Sequence, residues 1–177
     1  MESPNPTRYT LIARRGQIET QLFRGAETTA GVDMSTRTAR CHCGRLELKC
    51  EGEPRKVSMC HCADCQRRTG SAFSVAVFYE RARVTVAKGE TRQFERPSAS
   101  GHRVIFHFCP DCGSNLYWRA ARMPDLIGVA LGGFEDPSFP PPQQSVWMQD
   151  HHEWIVLPPG MPAFDRNPPP RPAPAAK

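Results

Sequence analysis

The chain has 177 residues, of which 39% are apolar and 18 are proline, with a formal charge of +5; that is enough for one domain with a real core, with part of the chain left outside it. No stretch approaches the roughly 20 apolar residues of a membrane-spanning helix, and the amino end carries Glu2, Arg8, Arg14, Arg15 and Glu19 in place of a signal-peptide core. These features argue against a membrane or secreted protein and for a cytoplasmic one, in which eight closely spaced cysteines are metal ligands rather than disulfides.

Residues 1–36 show no helical or strand period, and turn formers are scattered through Thr28, Thr29, Gly31 and Asp33; they read as a loosely ordered extension. Met34 stands directly before the domain as a candidate alternative start. From residue 37 to 164 the pattern is that of a mainly β domain with very little helix. Leu46, Leu48 and Cys50 alternate with Glu47 and Lys49, which predicts a half-buried strand and makes Cys50 a core thiol. Further strands are predicted at Phe73–Phe78, Arg83–Val86, Thr91–Phe94, Arg103–Phe108, Asn115–Trp118, Leu126–Ala130, Val146–Met148 and Trp154–Val156. Ala63–Thr69 is the one candidate helical turn. Residues 158–177 hold eight prolines, and 165–177 read as a disordered Pro-rich tail. Within it, Pro168-Pro169-Pro170-Arg171-Pro172 is open to two readings, a solvated tail or a polyproline II ligand.

Seven cysteines fall into three groups. Cys109-Pro110-Asp111-Cys112-Gly113 is a zinc knuckle whose glycine supplies the positive φ after the second ligand. Cys41-His42-Cys43-Gly44 does the same with tighter spacing, since residues i and i+2 of an extended segment project to one side. Cys60-His61-Cys62-Ala63-Asp64-Cys65 offers three thiols from one short loop. Four thiolates close a structural zinc, whereas three leave a position open to water or substrate. Seven ligands therefore predict two zinc ions per chain, one closed and one open. Spacing allows two partitions: Cys41, Cys43, Cys109 and Cys112 around one ion with Cys60, Cys62 and Cys65 around the other, or Cys41, Cys43, Cys60 and Cys62 around one with Cys65, Cys109 and Cys112 around the other. The first is favoured, because a trio held by one loop keeps an accessible flank. His42 and His61 face away from the ligands on an extended trace, and His107 reads as a strand residue packed beside a metal site.

Seven thiolates and two divalent ions would bring the formal +5 to about +2, which speaks against phosphate-driven nucleic-acid binding. Zinc held by three thiolates acidifies water weakly and suits a soft ligand such as a thiol. If that thiol belongs to an acidic peptide such as glutathione, Arg67 and Arg68 just beyond Cys65 are placed for its carboxylates, or else are solvated surface charges.

The order CxCG, CHCxxCxxxTGSAF and FCPxCGSxL, carried here by Cys41–Gly44, Cys60–Phe73 and Phe108–Leu116, resembles the glutathione-dependent formaldehyde-activating enzyme family, whose domain is shared with centromere protein V. The resemblance runs from about Ala39 to Phe164. It implies a β-tent fold of packed antiparallel sheets with zinc knuckles. It also implies a structural zinc on Cys41, Cys43, Cys109 and Cys112, and a catalytic zinc on Cys60, Cys62 and Cys65. The implied activity is that of a carbon–sulfur lyase of the S-(hydroxymethyl)glutathione synthase type, joining glutathione and formaldehyde without a redox cofactor. Where relatives often carry a segment like Pro-x-His-Ile-aromatic, this chain has Gln144, Ser145, Val146 and Trp147. The rival readings are a thiol carrier without turnover and a non-catalytic zinc module binding protein or nucleic acid.

Overall fold

A computed structural model describes residues 35–169. The expected extension at 1–36, apart from its last two residues, lies outside the described residues, as do Met34 and residues 170–177 of the expected tail.

Eleven strands and one helix are described: β1 (Thr36–Arg40), β2 (Glu47–Glu51), β3 (Lys56–Cys60), α1 (Ala63–Thr69), β4 (Ser74–Glu80), β5 (Val84–Lys88), β6 (Arg92–Pro97), β7 (Arg103–Phe108), β8 (Asn115–Ala120), β9 (Leu126–Ala130), β10 (Gln144–Val146) and β11 (Ala163–Phe164). They form a three-stranded sheet, β1-β2-β5, and an eight-stranded sheet, β11-β10-β3-β4-β9-β8-β7-β6. All pairings are antiparallel except those of β10, which runs parallel to both β3 and β11.

The core forms where the two sheets meet. Ala39, Leu46, Leu48 and Cys50 from the small sheet pack with Val57, Val77, Tyr79, Leu116 and Val129 from the large one. Burial pushes the Cys50 thiol up to about 12, which suits the core role expected of it. The large sheet is apolar on its other face as well: Ala76, Phe78, Val104 and Trp118 form a second cluster. Successive residues of β4 serve the two clusters alternately, so the strand reads as a continuous apolar run rather than an alternating one.

The predicted strands at Arg103–Phe108 and Leu126–Ala130 and the helical turn at Ala63–Thr69 coincide with the described elements. Strand Trp154–Val156 does not form. Trp154 is 72% and Val156 89% exposed, and the segment is a turn closed by Ile155 N–H donating to His152 O; its apolar residues have no face to cover, and Pro158-Pro159 follow at once. The predicted Val146–Met148 strand is shifted to Gln144–Val146, with Met148 opening a single 3₁₀ turn. β1, β3 and β11 form where no strand was predicted.

Candidate functional site

The Cys41–Gly44 and Cys109–Gly113 turns are built alike. Gly44 N–H donates to Cys41 O at 2.9 Å and Gly113 N–H to Cys109 O at 2.9 Å, and both glycines turn the chain with φ near +70° (71° and 72°). Arg45 and Asp111 pair across the two turns at 2.9 Å, and Ser114 Oγ accepts from His42 N–H at 3.1 Å. The result is one group of four thiols, Cys41, Cys43, Cys109 and Cys112, with all sulfurs within 4.8 Å of one another. It joins the β1–β2 turn of the small sheet to the β7–β8 turn of the large one.

Two of the sulfur separations, 3.5 Å for Cys41–Cys43 and 3.7 Å for Cys43–Cys109, are close to the roughly 3.8 Å expected of a tetrahedral site with bonds of about 2.3 Å. The thiols cannot ionise independently. The Ser114 hydroxyl holds Cys112 down at about 5. Cys43, although drawn down by the Arg45 backbone N–H, is pushed up to about 12 by desolvation and its three sulfur neighbours. A divalent cation among the sulfurs resolves that repulsion, so the donor set fits a metal ion.

The second group comes from one chain turn. Cys60 ends β3, Cys62 caps α1 by accepting from Cys65 N–H at 3.4 Å, and Cys65 lies in the first turn of that helix. Gln66 Nε2 pins the turn by donating to His61 O at 2.7 Å and Asp150 O at 2.9 Å. The three sulfurs also lie within 4.8 Å of one another, and among the described residues no histidine or carboxylate joins them. Cys60 and Cys62 hold the Cys65 thiol far below its ordinary range, with Arg68 adding a weaker pull. In return Cys60 is driven upward by Cys62 and Cys65. Cys62, though drawn down by Cys60, is pushed up to about 11 by Cys65 and burial. One sulfur carries charge readily and the others resist, so three thiolates coexist only around a cation. This group fits a metal too, with a coordination position to spare.

The structure thus groups the cysteines by the first of the two partitions. His61 is fully buried with its Nε2 at 3.0 Å from Ser145 Oγ, His42 is exposed, and His107 stacks on Tyr117 with ring centres 4.2 Å apart; none of them joins either group of sulfurs.

Cys60, Cys62 and Cys65 line one end of a cavity of about 590 Å³ on the outer face of the large sheet. Its walls follow from strand register: Phe106 is opposite Trp118, and Phe94 is opposite Phe106. Arg67 and Arg68 both line it, but their surroundings differ. Arg67 is 74% exposed and lies 3.6 Å from Asp64. Arg68 is half-buried, with its guanidinium carbon 4.4 Å from the Trp118 ring centre and an N–H donating to Asn115 Oδ1 at 2.9 Å. Lys56, Arg96 and Arg122 add positive charge to the lining, and Asp64, paired with Arg96 at 2.8 Å, is the one carboxylate that the described residues bring to it. Sequence reasoning missed Trp118, Phe106, Asn115 and Arg96 as site residues. For Trp118 and Phe106 the signal was the second apolar face of β7 and β8, legible only once both faces of the sheet are known to be covered; Asn115, and Arg96 on β6, carried none.

A mainly β domain carrying two cysteine groups able to hold metal ions is the class these observations define. The family model described as glutathione-dependent formaldehyde-activating enzyme matches residues 36–150, more than half of the chain, and the chain belongs to that family. A Colletotrichum graminicola protein, provisionally named glutathione-dependent formaldehyde-activating enzyme, is 26% identical over 128 residues; the match covers 67% of this chain and 66% of that protein, just under two thirds of its length. A crystal structure of a Rhodobacter sphaeroides protein aligns with a TM-score of 0.44 at 21% identity, covering 56% of this chain and 91% of that one.

Proposed function

We propose that the protein is a zinc-dependent enzyme of the carbon–sulfur lyase type. It would act on the adduct of glutathione, or a related thiol, with formaldehyde or another small aldehyde. Cys41, Cys43, Cys109 and Cys112 would hold a structural ion, and Cys60, Cys62 and Cys65 the ion at which the thiol binds. When bound there, zinc supplies deprotonation of the thiol at neutral pH. The chain's own residues do the rest. Gln66 fixes the loop that presents the three sulfurs. Arg68, held by Asn115 and Trp118, faces the carboxylates of the thiol peptide, and the apolar walls limit water at the reacting carbon.

The observation that carries this reading is the position of the three-thiol group at the end of a cation-lined cavity. It is tested by comparing formation of S-hydroxymethylglutathione from glutathione and formaldehyde, with the zinc-loaded chain present, against the spontaneous reaction. Acceleration proportional to protein concentration is expected. A rate equal to the spontaneous one, with glutathione still bound, would leave a thiol carrier in place of an enzyme.

A further inference from the structure

The cavity is built for more than a one-carbon aldehyde. Formaldehyde fills on the order of one or two water volumes, about 30–60 Å³, so most of the cavity of about 590 Å³ is left to the thiol half and to a larger aldehyde-derived arm. The thiol half of the proposed substrate is polar and doubly carboxylated, so it calls for the cations of the lining and not for an aromatic floor.

That floor begins where the thiols end. Lys56, Ser58 and Cys60 alternate along the cavity side of β3, opposite Phe78, Ala76 and Ser74 of β4. Over these four residue steps, about 13 Å, the paired positions change from cysteine and serine to lysine and phenylalanine. The Trp118 ring lies across Gly128, where a Cβ would come within 2.5 Å of the indole; only glycine lets the ring lie down on the sheet. Phe78 and Phe106 flank that indole with ring centres 6.4 Å away on either count. Beyond them Phe94 is 57% exposed among the described residues, an apolar ring lining the cavity. Arg68 sits over Trp118 at the junction between the sulfurs and the rings.

We propose that the aldehyde-derived arm of the substrate is apolar and aromatic, seated on Trp118, Phe106 and Phe78, while the carboxylates of the thiol half face Arg68 and Arg96. The proposal rests on the thiol–aldehyde reading above and deepens it. In the forward step the thiol gives up its proton, its sulfur forms a bond to the carbonyl carbon, and the carbonyl π pair moves to oxygen, which takes up one proton. The product is a hydroxy thioether, nothing is oxidised or reduced, and the reverse step is cleavage.

Two unreactive thioethers test this without turnover. S-benzylglutathione and S-methylglutathione are titrated into the zinc-loaded full chain and followed by tryptophan fluorescence and calorimetry. S-benzylglutathione is expected to bind about tenfold or more tighter, the effect of burying one phenyl ring. Phe106→Ala should narrow that ratio to about threefold, and Phe106→Leu, which keeps the apolar bulk, should narrow it less. Equal affinity of the two thioethers for the unaltered chain overturns the proposal even if formaldehyde is condensed with glutathione. A benzyl preference that neither substitution changes overturns the placement on these rings. A preference without turnover of any aldehyde upholds the aromatic subsite and removes the enzyme reading instead.

Discussion

The four-thiol group draws its ligands from turns 66 or more residues apart in the chain and belonging to two different sheets, whereas the three-thiol group is made by the six residues from Cys60 to Cys65. A metal in the first is a tie between layers, so its binding free energy is folding free energy. A metal in the second changes little beyond one loop that β3 and α1 already hold in place. One kind of ion bound in both groups would be set to different tasks by the number of donors and their separation in sequence: four distant ligands would give stability, and three local ligands would leave an open flank.

Breaking the first group should have the larger effect. Cys109→Ser removes a thiol 1% exposed from the proposed structural site and is expected to abolish the cooperative thermal transition seen by circular dichroism, because a structural zinc would contribute about 10 kcal/mol or more, comparable to the whole stability of a domain. A melt within a few degrees of the unaltered protein would refute the tie. Cys62→Ser comes next. Serine is itself a good helix cap, so α1 and the fold should survive while the metal content falls from two ions per chain to one and activity drops at least about a hundredfold. Retention of both ions, measured by elemental analysis, would remove the three-thiol site. The smallest effect separates the two neighbouring arginines. Arg68→Met keeps an apolar side chain but loses the guanidinium over Trp118 and its charge-assisted hydrogen bond, and should raise KM for glutathione about tenfold. Arg67→Met, at an exposed ion pair, should change it less than about twofold. Equal effects would mean that the cavity does not distinguish them.

The cysteines were legible in the sequence because ligation imposes local spacing, and the glycines after Cys43 and Cys112 fixed the turn geometry with them. β7 and β9, apolar runs bounded by turn residues, were legible for the same local reason. β3 was not: Lys56, Ser58 and Cys60 line the cavity while Val57 is fully buried in the core, but this alternation spans only five residues and ends in the cysteine loop. β11 is two residues long and exists through its parallel partner. The aromatic floor was invisible because it is a property of register: Phe78, Phe106 and Trp118 come from three strands, and the residue that lets them share a surface is Gly128 on a fourth.

The parallel placement of β10 has a practical side. Val146 is paired with Cys60 on one flank and with Phe164 on the other, and Trp147 N–H donates to Arg166 O at 3.2 Å. A recombinant version trimmed to the family-matched span, stopping at residue 150, would strip the outermost stave from the sheet, remove Asn167 and Pro168 from the cavity lining, and leave β10 as a bare edge beside the strand that carries Cys60, open to pairing with another molecule. A shortened version of this protein should therefore keep the chain through Pro168.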